Sequence, residues 1–565
     1  MLSYRKLAMR VLGRPLHTGG GIDSPRPASQ RAAALILTAA LLTGAAFPAF
    51  AGTYYIEEGD ITISAGTVAG TNKVEQGGTL KSENDKDTVI TNQKTDTASS
   101  HTVTIDAGKD KVEVTLKDVN IDTSSRNNAA VSVTGSGNTT IKLDGDNHLT
   151  GGISDNGSYG LSGISSSGSL TISGGETDSL TAQGGSGTDG SGGRGIFSKD
   201  LTISGGTVNA NGGDGKNGSG GSGITSLGSL TISGGTVNAA GGDGTNSSDG
   251  GDGITNNRGV TISSGGTVTA KGGSGEDGSG GRGISSFGGV TISSGGTVTA
   301  TGGNSTGSDG SGGDGISSTS TTISGGTVTA DGGSGNFSGG NGIRSFDVAI
   351  SGGTVNVAGG NGGNGSGSDV GNGIYSSDID LSGSLELTVK AGSPNGKALS
   401  QRGNELDLDD IKDKLGPGAK VTAINANGDS KQVSIPRPVE PEEPVIPGDS
   451  SSSSGGGSAD ASVQESVFPG LVVTDKDGQR ISYTSTQSGN TLTVCVGRFT
   501  ASLRASLAAL RQLRAEGIET ITFQTILCST TLSVDELLAM GGEDTEVVLT
   551  HHIRSSTLTV GGKAV

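Results

Sequence analysis

Residues 201–213 read LTISGGTVNANGG. The block returns as LTISGGTVNAAGG from Leu230, VTISSGGTVTAKGG from Val260, VTISSGGTVTATGG from Val290, TTISGGTVTADGG from Thr321 and VAISGGTVNVAGG from Val348. A Gly-Ile step keeps pace with it, at Ile164, Ile196, Ile224, Ile254, Ile284, Ile316, Ile343 and Ile374. Both series share a period of about thirty residues, the signature of stacked structural repeats.

Inside one unit the pattern alternates with period two. Leu201 and Ile203 fall on one face and Thr202 on the other, which is a strand with one buried side. A Gly-Gly corner follows, then Thr207-Val208-Asn209-Ala210 alternates again before another Gly-Gly corner. With the Gly-Ile step, each unit offers three strands and three turns. A unit this small cannot bury its own apolar face, so coils must stack, Ile203 over Ile232 over Ile262. Each coil then adds about 4.8 Å, the spacing of hydrogen-bonded strands. A helix is excluded: no apolar run has period 3.6, and each interior glycine would cost roughly 1 kcal/mol. No proline occurs between Pro48 and Pro394, as a ladder that uses every backbone N–H requires. These residues predict a mainly β chain built on a parallel β-helix.

Working outward, Gly52 to Thr150 is less regular but still alternates, in HTVTIDAG from His101, KVEVTLKDVNID from Lys111 and TTIKLDGDNHLTGG from Thr139. It predicts irregular N-terminal coils, and SLELTVKAG from Ser384 predicts the last one before a closing cap, so the solenoid spans 52–432. Before it, basic residues through Arg31, an apolar run from Ala32 to Phe50 and the Ala49-Phe50-Ala51 pattern predict a signal peptide cut between Ala51 and Gly52. This places the protein outside the cell, secreted or at the cell surface. After it, five prolines among residues 436–447 and the Ser/Gly tract from Ser450 predict a linker over 433–460. Residues 461–565 predict a small α+β domain, with a strand in TLTVCVG from Thr491, a helix carrying Leu503, Leu507, Leu510 and Leu513 after a Thr500 N-cap, and a capping box at Ser533 and Glu536. A cell-envelope partner is the expectation for this domain.

Composition limits function. The chain has 565 residues, 107 of them Gly, with no Trp and a net charge of −18. Such acidity argues against nucleic acid as a partner, because binding it relies on basic patches. Aligned coils place Thr267, Thr297 and Thr327 in one column and Thr269, Thr299 and Thr329 in the next. These are candidate ligand-binding residues on a flat polar face, for polysaccharide or ice. The plain alternative is ladder stabilisation by cross-strand threonine pairs. Asp214, Asp243, Asp252, Asp277, Asp309 and Asp314 are candidate Ca²⁺ ligands, because carboxylates and loop carbonyls suit that hard cation; the alternative is solvated acidic loops. The residue two before each coil isoleucine runs Arg194, Ser222, Asp252, Arg282, Asp314, Asn341, Asn372, which predicts a charge ladder at its centre. Cys495, Cys528, His551 and His552 lack zinc-finger spacing. No nucleophile–base motif marks a catalytic residue.

The repeats LTISGGTVNANGG and GGRGI, preceded by VTLKDVNIDTSSRNNAAVSV and NTTIKLDGDNHLTGG, resemble the carbohydrate-binding β-helix proteins secreted by anaerobic Gram-positive bacteria, which are similar in fold to pectate lyases. The resemblance covers roughly residues 55–395. It implies a right-handed parallel β-helix that binds plant or cell-wall polysaccharide, with calcium as the associated cofactor. Aromatic residues for stacking on sugars are sparse; Tyr159 and Tyr375 are the tyrosines inside the repeats. The expected function is a non-catalytic binding protein or adhesin for a polysaccharide or surface glycan. The alternative is a polysaccharide lyase or hydrolase on the same scaffold, which needs a basic residue and clustered carboxylates in one groove.

Overall fold

A computed structural model describes residues 52–436, apart from 156, 264, 294 and 364–370, and residues 471–564, apart from 476–478, 482, 489, 497, 499, 526–528, 543–544, 553–554 and 562. The signal peptide with Ala51, most of the linker and Cys528 lie outside the described residues. The chain divides into two compact units near residue 441.

The first unit is a β-solenoid of about 13 turns. A regular coil supplies a short strand such as Ile196–Ser198, a second such as Asp200–Ile203 and a third such as Thr207–Asn211. The first two join a 23-stranded sheet and the third a 12-stranded sheet. Register follows the repeat: Leu201 pairs Leu230 and Ile203 pairs Ile232, then Ile232 pairs Ile262, all parallel. The Gly-Ile isoleucines stack from Ile164 to Ile374. All of these isoleucines are fully buried, each contributing roughly 1.5–3 kcal/mol of apolar burial. The corner glycine Gly206 has φ +77°, a left-handed conformation that glycine adopts without a Cβ clash. From Ile284 onward the first two strands run together, as Ile284–Ile292, Ile316–Ile323, Ile343–Ile350 and Ile374–Leu381.

The ends are irregular, as expected. Ile61–Ala65 pairs antiparallel with Asn72–Gln76 at the start. The 3₁₀ turn Leu408–Lys414 and the antiparallel pair Lys420–Ile424 with Ser430–Ser434 close the far end.

The third side of each coil is more ordered than the turn expected there. Two Gly-Gly pairs, such as Gly212-Gly213 and Gly220-Gly221, lie against each other. The Gly221 N–H donates to the Gly213 carbonyl at 2.8 Å, and the Gly242 N–H in the next coil donates to the Gly221 carbonyl at 2.9 Å. This zigzag runs unbroken from Gly185 to Gly360, every step between 2.7 and 2.9 Å. A Cβ on Gly212, Gly221 or Gly242 would land on a neighbouring backbone carbonyl. The high glycine content therefore builds a third wall, where backbone packs on backbone.

The second unit holds a five-stranded and a four-stranded sheet with the helix Leu507–Ala515. The helix starts later than the leucine spacing suggested. Leu503 belongs to the strand Ala501–Ser506, whose burial alternates from Leu503 onward, and Ser506 is the N-cap, accepting from the Ala509 N–H. The Ser533 cap stands as read, its side chain accepting from the Glu536 N–H at 3.4 Å. His551 is fully buried against Phe523, ring centroids 4.8 Å apart, with Nδ1 3.2 Å from Thr525 Oγ1 and Nε2 3.0 Å from Thr530 Oγ1. Burial holds its pKa below the ordinary histidine value. The folded unit thus keeps a neutral ring, while the unfolded chain takes up a proton below about pH 6.5. Stability of this unit is expected to fall as pH drops from neutral through that value. The His551→Gln variant should flatten this slope in denaturation at stepped pH; an unchanged slope would assign it to other groups.

Candidate functional site

Of the residues two before the coil isoleucines, those from Asp252 to Asn372 form a side-chain ladder. Asp252 Oδ1 accepts from the Arg282 backbone N–H at 2.7 Å. Asp314 Oδ1 accepts from the Asn341 N–H at 2.8 Å and from Asn341 Nδ2 at 2.9 Å. Asn341 repeats this with Asn372, and Asn372 with the Lys397 N–H. Each carbonyl or carboxylate oxygen therefore satisfies a backbone amide one coil further along, which β-sheet pairing leaves open at this corner. A second ladder does the same: Asp214 Oδ1 accepts from the Asp243 N–H at 2.9 Å, and Asp243 Oδ1 from the Ser274 N–H at 2.6 Å.

The centre of the first ladder opens into a groove of about 590 Å³ that crosses five coils, from Ser219 to Asn341. Its lining includes Gly250, Gly280 and Gly312 with Asp249, Asp252, Arg282, Asp314, Phe337 and Arg344. Asp314 is nearly buried, and its Oδ2 lies 3.9 Å from both Arg282 Nε and Arg344 Nη1. The arginine side chains stay half exposed, at 45% and 50%, so their remaining donors face the groove. The ladder pairing was legible in sequence; the second arginine was not. Arg344 stands one residue after its isoleucine while Arg282 stands two before, so only the stacking of coils brings them to one carboxylate.

The six candidate threonines do share a surface. Thr267, Thr297 and Thr327 pair in one column, and Thr269, Thr299 and Thr329 in the next, all exposed or half exposed on the 12-stranded sheet. None of them lines the groove. The first column extends to six threonines, from Thr207 to Thr354, and a second column of six, Thr171, Thr202, Thr231, Thr261, Thr291 and Thr322, stands on the other sheet.

The candidate calcium ligands stand apart. Asp214 and Asp243 belong to one ladder, Asp252 and Asp314 to another, and Asp277 and Asp309 to exposed loop tips. Among the described residues there is no group of three or more His, Cys, Asp or Glu side chains placed to hold a metal. Gly52 begins the described chain, its N–H donating to Asp85 Oδ1 at 2.8 Å. Cys495 Sγ lies 3.5 Å from Gln524 Oε1, its thiol pKa raised by burial.

The fold and groove define a repeat protein of the β-solenoid class. Comparison with protein-family models, with curated proteins and with solved structures returns no match.

Proposed function

We propose that this chain is a secreted, non-catalytic binding protein whose solenoid, in a pectate-lyase-like manner, holds a linear polysaccharide along the groove. The observation that carries this reading is the groove's form. It runs with the stack across five coils, about 19 Å at strand spacing, and is lined by glycines and serines. Its charged and polar residues supply both donors and acceptors, as hydroxyl-rich ligands require. The glycines leave backbone within reach of a flat ring.

The test is a glycan array with the purified protein, in Ca²⁺ and again in EDTA. A linear polysaccharide is expected to bind, and the Arg282→Gln, Arg344→Gln double variant to weaken it at least about tenfold, equivalent to about 1.4 kcal/mol. Loss of binding in EDTA would assign calcium to the acidic columns. Binding that survives the arginine changes but fails when Thr267, Thr297 and Thr327 become valine would move the site to the threonine face. No binding under either condition would overturn the reading.

A second reading, a polysaccharide lyase, is favoured by one observation: two arginines and a carboxylate meet in the groove. Release of unsaturated uronate products, followed by ultraviolet absorbance, would establish it.

A further inference from the structure

The corner where the first two strands of each coil meet carries a second periodic feature. One residue after the register-paired Ser226, Asn256, Ser286, Ser318, Ser345 and Ser376 stand Leu227, Asn257, Phe287, Thr319, Phe346 and Ser377. Apolar and polar residues alternate coil by coil. The apolar members are exposed: Leu227 at 44%, Phe287 at 75% and Phe346 at 64%. These are large side chains to leave in water on an outer surface. They recur every second coil, so their spacing is about 9.6 Å. Arg344, a groove residue, lies two residues before Phe346 on the same strand and on the same outer face. Gly288, beside Phe287, admits no Cβ, because one would strike the Arg258 carbonyl. The Thr319 hydroxyl donates to the Phe287 carbonyl at 2.6 Å, fixing the backbone between the two rings.

We infer that Leu227, Phe287 and Phe346 form a stacking ledge for an extended, uncharged, β-linked polysaccharide lying parallel to the solenoid axis. In an extended β-1,4-linked chain successive sugars are turned over, so equivalent ring faces recur once per disaccharide, close to the two-coil spacing. Each pyranose has an apolar C–H face suited to an aromatic ring, and the intervening Asn257 and Thr319 meet the hydroxyl-bearing neighbours. A second copy of the chain would bury the same apolar groups, but it supplies no reason for polar residues at every other coil. The inference deepens the polysaccharide-binding reading and rests on it.

The test is isothermal titration of the whole protein with a soluble uncharged β-1,4-linked hexose polymer, and with a coiled α-1,4-linked polymer as control. The β-linked polymer is expected to bind at least tenfold tighter than the α-linked one. The Phe287→Ala, Phe346→Ala variant should lose at least tenfold in affinity while its melting temperature stays with the native protein. Equal binding by that variant, with loss in the arginine double variant, would overturn the ledge and leave the groove standing. Binding of neither polymer, alongside an array empty of any glycan, would overturn both. A native dimer that becomes monomeric on removing the two phenylalanines, with glycan binding unchanged, would assign the ledge to self-association and overturn the inference.

Discussion

Replacing Gly242 with alanine is expected to destabilise the solenoid by roughly 3 kcal/mol or more, at the upper end of what overpacking costs. The added Cβ would fall on the Gly213 carbonyl, one coil away, and the nearest atoms are all backbone. No side chain can rotate aside, so relief requires the coils to separate. Separation would break the Gly242 to Gly221 hydrogen bond between the coils, and with it the neighbouring Gly212 to Ala240 and Gly220 to Asp249 bonds. Gly259→Ala is the control. Its nearest neighbour would be the Gly289 carbonyl at an ordinary 3.6 Å, and it should change stability by no more than about 0.5 kcal/mol. Chemical denaturation followed by circular dichroism compares them. If Gly242→Ala unfolds together with the native protein, the third side of the coil is looser than the hydrogen-bond chain implies.

Removing the Asp314 carboxylate is expected to cost about 2–4 kcal/mol, most of it from groups left behind. Alanine there leaves the buried Asn341 amide without its acceptor and removes the carboxylate that both arginines share. Asparagine retains a carbonyl for the Asn341 N–H and should cost about 1 kcal/mol or less, because the two ion pairs are long, at 3.9 Å, and their arginines half exposed to water. The same denaturation measurement separates the two variants. Equal losses in both would mean that charge, and not the backbone hydrogen bond, is what Asp314 supplies.

The solenoid was legible because its code is short and repeated. Period two in LTI and TVNA selects strands, and a thirty-residue beat leaves stacking as the way to bury Ile203 and Val208. The threonine columns follow from the same alignment. The glycine wall was harder to read, since a Gly-Gly pair looks alike whether it turns a corner or packs on another backbone. Only the partner atoms distinguish them. The groove also depended on contacts between coils: Arg344 and Arg282 occupy different places in the repeat. Phe287 and Phe346 were not legible as a pair, because they sit in otherwise polar segments and only coil stacking puts them in one column. The late helix start has a similar cause. Leu503 satisfies both a helical stripe and the alternation of Ala501–Ser506, and strand pairing with Leu549 decides between them.

A chain assembled this way can change its reach without changing its cross-section. Because every coil presents the same upper and lower surface to its neighbours, inserting one thirty-residue copy lengthens the molecule by a single strand spacing and leaves its width as before. Length is thereby counted in copies, and each face of the solenoid grows in proportion. Gene duplication within the repeats would act as a ruler adjustment, tuning how far the molecule extends.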